Sequence, residues 1–192
     1  MNWKNFLTDV SNTLLNSDDL LNEFKDEASS NWLGFPPVTE HGIQIHEKKL
    51  KTLLPPSYKE FLMTTNGFKQ ISSFIWDILP LDKIDWIKNF DNHFYQLYTK
   101  EFELDITDEE YFVYGEEQDT VNFRNEYLIK TLAVSNWGDA VILLLNPEVK
   151  FGDEWEAWMF ANWYPGAARY KSFEELMQEE YSSYLDLLKN KK

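Results

Sequence analysis

The chain has 192 residues, a formal net charge of −15 at pH 7 and no cysteine. This length suits one domain with a sizeable core, and the missing cysteines exclude disulfides, thiolate metal sites and thiol catalysis. A surface this negative repels nucleic acid and anionic lipid, so neither is expected as a partner.

The N-terminus does not resemble a targeting segment. Residues 1–10 include Trp3, Lys4 and Asp9, and they lack the basic segment and the apolar core of a signal peptide. The longest apolar run, Ala140–Leu145, is far shorter than the roughly 20 residues that a membrane-spanning helix needs. Together with the missing cysteines, these features predict a cytoplasmic protein without a membrane partner.

Apolar residues recur at helical spacing through the first half of the chain. The elements predicted there are a helix that starts near Trp3, an irregular break over Asn31–Pro37, a helix over Thr39–Leu53, and a helix that opens at Pro56 and ends at Asn66-Gly67.

The second half contains runs of β-branched and aromatic residues bounded by turn residues, which predict strands. These runs are Glu110–Tyr114, Tyr127–Ser135, Ala140–Asn146 and Trp155–Ala161, and a similar run in the first half, Phe74–Leu79, predicts one more strand. A short helix is predicted over Asp82–Asn89, and Ser172 with Glu175 forms the capping-box pattern that starts a last helix. This order predicts an α+β fold, in which a mainly antiparallel central sheet is packed by N-terminal and C-terminal helices.

Catalytic motifs are missing from the sequence. The three histidines, His41, His46 and His93, do not have the spacing of a zinc-binding helical pair, and no nucleophile elbow or glycine-rich nucleotide loop occurs. We therefore expect no catalytic, metal-binding or cofactor-binding residues.

One acidic cluster leaves an enzymatic alternative open. Asp153, Glu154 and Glu156 flank Trp155 and Trp158, and a glycosidase uses two carboxylates across a cleft with an aromatic platform nearby. Alternation along a strand explains the same pattern without catalysis, as a solvated polar face opposite a buried aromatic face.

Acidic side chains are concentrated in one stretch, which we expect to bind a partner. Its candidate residues are Asp105, Asp108, Glu109, Glu110, Glu116, Glu117 and Asp119. The acidity has two explanations, because negative charge maintains solubility and also accelerates association with a basic partner.

Loops supply the remaining candidate binding residues, since binding side chains concentrate in loops on rigid scaffolds. They are Trp137, Asp139, Asp153, Glu154, Trp163 and Tyr164. Trp163 and Tyr164 either anchor an interface, as exposed aromatic residues often do, or close over the end of the sheet.

Several motifs are shared with a known family. In the first half they are Trp32-Leu33-Gly34-Phe35-Pro36-Pro37, Glu47, Leu54-Pro55-Pro56-Ser57-Tyr58-Lys59-Glu60-Phe61-Leu62 and Asn66-Gly67. In the second half they are Tyr114-Gly115, Gln118-Asp119, Ser135, Gly138-Asp139, Glu154-Trp155-Glu156-Ala157-Trp158 and Asn162-Trp163-Tyr164-Pro165-Gly166-Ala167. The chain thereby resembles the SUKH superfamily, the group of yeast cell-wall-assembly regulators and bacterial toxin-immunity proteins.

The resemblance implies an α+β fold, no established catalytic residues and no cofactor. Bacterial members bind and block toxins that are often nucleases or deaminases, which implies an immunity protein whose partner is a basic toxin domain. The alternative is a regulatory adaptor like the cell-wall regulators. The resemblance begins near Ser29, so residues 1–28 are predicted to be an N-terminal helical extension and residues 29–192 the SUKH-like domain.

Overall fold

The computed structural model describes residues 1–27, 31–99, 106–163 and 165–190. The helices are α1 (Trp3–Leu15), α2 (Asn22–Glu27), α3 (Glu40–Leu50), α4 (Pro56–Thr64), α5 (Ile87–Phe90), α6 (Asn92–Tyr98), α7 (Asp108–Tyr111), α8 (Asn125–Leu128) and α9 (Phe173–Asn190), with a 3₁₀ turn at Gly115–Glu117. The strands are β1 (Phe68–Gln70), β2 (Trp76–Ile78), β3 (Asp85–Trp86), β4 (Leu132–Ala133), β5 (Val141–Phe151), β6 (Glu154–Ala161) and β7 (Ala167–Tyr170).

A central sheet organises the molecule. Its five strands follow the order β3-β4-β5-β6-β7, and each neighbouring pair is antiparallel. A small antiparallel pair, β1 and β2, is joined to this sheet through a bridge between Ile78 and Ser135. The predicted α+β fold with an antiparallel central sheet is confirmed.

The N-terminal and C-terminal helices cover one face of the sheet, as predicted. The rings of Trp3 on α1 and Phe61 on α4 lie 5.4 Å apart, and Trp3 stacks 5.6 Å from Phe173 on α9. Trp155 and Leu143 reach the same core from the sheet. Helix α1 therefore contributes to the main hydrophobic core.

A second core lies on the opposite face of the sheet, and the sequence did not predict it. Alternate residues of β5 and β6, such as Ile142 and Trp158, point into this core. The segment between β3 and β4 covers them with Phe94, Tyr111 and Leu128. Both faces of the hairpin are consequently covered over Val141–Leu145 in β5 and Ala157–Ala161 in β6, which explains why these two stretches are continuously apolar.

Two predicted strands are wrong. Glu110–Tyr114 lies in α7 and the loop after it, because Thr107 and Glu110 form a reciprocal capping box that starts a helix at Asp108. The predicted strand Tyr127–Ser135 is divided between the end of α8 and the short strand β4.

Other differences concern the type of one predicted element, the end of another, and one strand that was not predicted. The predicted helix over Asp82–Asn89 is a strand, β3, followed by α5. Strand β5 continues beyond its predicted end at Asn146 through a register shift between Asn146 and Lys150. Pro147 lies in this irregularity, where a residue without an N–H group disturbs the ladder least. Strand β7 was not predicted, since Ala167-Ala168 carries no β-branched or aromatic signal.

The predicted helix starts are confirmed where capping chemistry specifies them. The Thr39 hydroxyl accepts a hydrogen bond from the Gly42 amide at the start of α3, and Pro56 occupies the first turn of α4. At α9 the Ser172 hydroxyl accepts from the Glu175 amide at 3.1 Å. In a capping box the Glu175 carboxylate would accept a hydrogen bond from the Ser172 amide. Here it accepts one from the amide of Lys171, one residue earlier.

Candidate protein-binding surface

The acidic stretch forms a ridge on the segment between α6 and α8. We use the term acidic ridge for its exposed carboxylates, which are Asp108, Glu109, Glu110, Glu116, Glu117 and Asp119. The first three lie on α7, and Glu116 and Glu117 lie in the 3₁₀ turn. Asp105, which was predicted to belong with them, lies outside the described residues.

The acidic ridge is attached to the open edge of the central sheet. The side-chain amide of Gln118 donates to the Arg169 carbonyl at 2.8 Å and accepts from the Arg169 amide at 2.7 Å, as a neighbouring strand would. The Thr120 carbonyl accepts from the Ala167 amide at 2.9 Å. Next to this contact, Gly166 has φ +88°, and a Cβ there would overlap the Thr120 carbonyl oxygen. The segment thus covers β7 and is fixed by it.

Little positive charge neutralises the ridge. Arg124 forms an ion pair with Asp108 at 2.7 Å. Hydrogen bonds from the Thr107 amide and hydroxyl lower the pKa of Glu110, which keeps this carboxylate ionised. Within residues 106–163 and the rest of the described chain, no ion pair involves Glu109, Glu116 or Glu117. The ridge therefore presents a net negative field to solvent.

A buried carboxylate, Glu156 on β6, anchors the ridge from below. Its side chain is 0% exposed. The Tyr111 hydroxyl donates to it at 2.6 Å and the Tyr114 hydroxyl at 2.7 Å. Asn146 Nδ2 donates at 2.8 Å and the Trp158 indole at 2.7 Å. Because Tyr111 and Tyr114 belong to the segment that carries the ridge, Glu156 ties that segment to the sheet.

Arg169 on β7 supplies the positive charge beside Glu156. Its Nη1 lies 3.4 Å from the carboxylate and also donates to the Tyr111 carbonyl. The guanidinium group stacks 4.1 Å from the centre of the Tyr111 ring. Burial, followed by the neighbouring Glu156 charge, raises the pKa of both Tyr111 and Tyr114. Their hydroxyls consequently stay protonated and donate to Glu156.

The position of Glu156 corrects the predicted solvated face. Alternation correctly places Glu156 opposite Trp155, but the second core covers that face. At the start of β6, Glu154 accepts hydrogen bonds from the amide and the hydroxyl of Ser57, at 2.8 and 2.7 Å, and so caps α4. Glu156 is fully buried, and the Glu154 carboxylate is hydrogen-bonded to Ser57 at the start of α4. The two carboxylates therefore do not line a sugar-sized cleft.

The loop candidates lie at two opposite ends of the central hairpin. Val141 pairs with Ala161 at one end and Phe151 with Glu154 at the other. The Trp163 indole donates to the Asp139 carbonyl at 3.0 Å, which places these two together at the first end.

The other loop candidates differ in exposure. Trp137 is half-buried, because its indole donates to Asp91 and its ring packs 5.3 Å from Phe94. Asp153 is exposed in the turn between β5 and β6, at the far end from Trp163. Tyr164 lies outside the described residues.

The structure adds two residues that sequence reasoning did not select, Gln118 and Arg169, and it gives a structural role to Glu156, which the sequence offered only as a catalytic alternative. Gln118 and Glu156 occur in the motifs shared with the SUKH superfamily, and their structural contacts explain their presence there as well as a binding role would.

In the described part of the chain, no three histidine, aspartate or glutamate side chains are grouped so that they could hold a metal ion. The helices described above include none with the length and apolar character needed to cross a bilayer.

The model of the SMI1 / KNR4 family (SUKH-1) matches residues 37–179, which is more than half of the chain. The chain belongs to the SUKH-1 family. No curated protein matches it. The SUKH-1 match contains the acidic ridge, Glu156 and Arg169, whereas α1 and α2 precede it.

Proposed function

We propose that the protein is a non-catalytic binding module that neutralises a cognate bacterial toxin domain of the nuclease or deaminase type. Membership of the SUKH-1 family supports a role in toxin immunity or a related interaction. The observation that carries the proposal is the acidic ridge along the edge of the sheet, in whose described part Asp108 is the one carboxylate with an ion-pair partner. Nuclease domains bind a polyanion, so they present the basic surface that such a ridge complements.

A rigid ridge favours fast and specific association. The segment that carries its carboxylates is held by Gln118 against β7 and by Glu156 underneath, so the backbone of the ridge changes little when a partner arrives. Attraction between opposite charges accelerates encounter, and salt screens it over a distance of about 10 Å at 0.1 M ionic strength. We expect the association rate to fall steeply as salt is added.

The first experiment uses a toxin domain encoded beside the gene. The purified proteins should form a stoichiometric complex, and expression of this protein should protect cells from the toxin. The proposal is wrong if the toxin domain does not bind at low salt and cells are not protected. Capture of endogenous signalling or wall-synthesis proteins, with no toxin gene nearby, would instead favour the regulatory adaptor.

Charge reversal then tests the ridge itself. The double variant Glu116→Lys/Glu117→Lys should weaken toxin binding by at least about tenfold, mainly through a slower association rate. The matched control is Asp9→Lys/Asp18→Lys, which makes the same change in net charge at exposed positions on and after α1. Equal effects of the two double variants would show that only total charge matters and that the ridge is not the interface.

A further inference from the structure

A small pocket opens between α9 and the loops at the end of the sheet that carries Trp163. Its volume is about 180 Å³. Phe74, Trp163 and Tyr184 supply aromatic walls, Met159 and Leu187 are aliphatic, and Glu180 contributes a carboxyl group. We call this space the Glu180 pocket. Sites for small molecules usually measure about 300–1,000 Å³, so this one suits a single long side chain.

Glu180 is the unusual member of this lining. It is only 8% exposed, and it accepts a hydrogen bond from the Tyr170 hydroxyl at 3.2 Å. Burial is the main cause that raises its pKa to about 7. A carboxylate in such surroundings gains stability from a nearby cation, and none of the residues that line the pocket is basic.

Aromatic side chains line the pocket together with Glu180. Trp163 is 55% exposed, and its indole is held by the Asp139 carbonyl at 3.0 Å. Its ring lies 5.7 Å from that of Phe74. Aromatic faces attract ammonium and guanidinium groups, and they also pack against the aliphatic stems of lysine and arginine.

We propose that the Glu180 pocket receives a lysine or arginine side chain of the partner protein. The cationic group pairs with the Glu180 carboxylate, and the aliphatic stem packs between Trp163 and Leu187. That this side chain belongs to a toxin rests on the proposed function, whereas the preference of the pocket for a cation does not. The pocket would add a specific anchor to the general attraction of the acidic ridge.

A titration with side-chain analogues tests the preference without any partner. n-Butylammonium and n-butylguanidinium chloride should shift the NMR signal of the Trp163 indole N–H saturably, and neutral 1-butanol should not. Glu180→Gln should weaken this binding by at least about fivefold, while Glu179→Gln, an exposed neighbour on the same helix, should leave it unchanged. Trp163→Leu removes the exposed aromatic wall and should weaken the binding independently. Because the indole signal is lost in this variant, its affinity is read from the backbone amide of Leu187, which also lines the pocket.

Three outcomes would overturn the inference. They are shifts that do not saturate, equal responses to 1-butanol, and unchanged affinity in both Glu180→Gln and Trp163→Leu. The toxin complex separates this inference from the proposed function. If wild-type protein and Glu180→Gln bind the toxin equally, the pocket is not an anchor, although the immunity role stands. If no toxin binds, the immunity role fails, and the titration still decides what the pocket accepts.

Discussion

Loss of the Glu156 side chain should destabilise the fold strongly. Its carboxylate is fully buried, lies beside the Arg169 guanidinium and accepts hydrogen bonds from two tyrosines, an asparagine and a tryptophan. Glu156→Ala leaves a buried cation and several donors without their acceptor, and breaking a buried pair in this way costs about 3–5 kcal/mol. Urea unfolding followed by tryptophan fluorescence measures the loss.

Glu148→Ala is the matched control on the same hairpin. Glu148 is exposed and forms a surface ion pair with Lys130 at 2.8 Å, and such pairs contribute about 0–1 kcal/mol. Similar losses of stability in the two variants would contradict the anchoring role of Glu156.

Glu180 predicts a pH dependence of stability. Burial raises its pKa from 4.5 to about 7, so between these values the folded protein binds more protons than the unfolded chain. Stability therefore falls as pH rises through this window, by roughly 3 kcal/mol in total, and the loss is complete above it. Among the described residues, Tyr170 and Tyr184 contact Glu180 or line the same pocket, and the exposed Glu179 affects its pKa less than burial and the Tyr170 hydrogen bond do. Burial raises the pKa of Tyr184 to about 12, which lies outside this window.

Urea unfolding at a series of pH values checks this expectation. The stability difference between wild type and Glu180→Gln should change across the window in the stated direction, because the glutamine carries no proton that titrates. Glu179→Gln should give a curve parallel to that of the wild type. A constant difference between wild type and Glu180→Gln would show that Glu180 has an ordinary pKa in the folded protein.

Residue roles were only partly predictable from sequence. Alternation correctly assigned Trp155 and Glu156 to opposite faces of β6. It could not reveal what covers each face, because the cover of Glu156 comes from a segment about 40 residues earlier in the chain, as Tyr111 and Tyr114 show. The partner-binding roles of the ridge residues remain a prediction.

Elements were predictable where apolar periodicity and capping agree. Helix α1 repeats buried residues at helical spacing, and Thr39 and Ser172 specify the starts of α3 and α9. The sequence failed in the segment over the second core, where aromatic residues fit strands and short helices equally well. There the capping box at Thr107 outweighed the strand propensity of Tyr111 to Tyr114.

The edge of β7 provides a prediction at the scale of an element. β7 ends the sheet order, and Gln118 occupies both backbone groups of Arg169 that would otherwise face outward. Gln118→Ala removes both hydrogen bonds, so amide exchange at Arg169 should accelerate and stability should fall by about 1–3 kcal/mol. Hydrogen exchange by NMR resolves this amide from its neighbours.

Two references make the exchange experiment decisive. Glu117→Ala changes an exposed neighbour and should leave the Arg169 amide protected. The Ala167 amide donates to the Thr120 backbone carbonyl, not to Gln118, and should change less than the Arg169 amide. If the Arg169 amide is protected from exchange equally well in Gln118→Ala, contacts other than Gln118 shield the edge of β7.

The whole molecule is a sheet with a core on each face, and its N-terminal helix belongs to one of these cores. The SUKH-1 match starts at residue 37, and the extension over residues 1–28 stays a prediction. Yet Trp3, Leu7, Val10 and Leu14 of α1 are at most 3% exposed, and they pack with Phe61 and Phe173. An extension that shares the core is expected to be required for folding.

Deletion of residues 1–28 tests this expectation. Each buried side chain of α1 contributes about 1.5–3 kcal/mol, and four of them approach the total stability of a typical domain, about 5–15 kcal/mol. The truncated chain should therefore lose its cooperative thermal unfolding and bind a hydrophobic dye. Leu7→Ala should cost about 2–5 kcal/mol in the full chain, whereas Asp9→Ala, exposed on the same helix, should change little. A truncated chain that unfolds cooperatively near the wild-type temperature would show that α1 is dispensable.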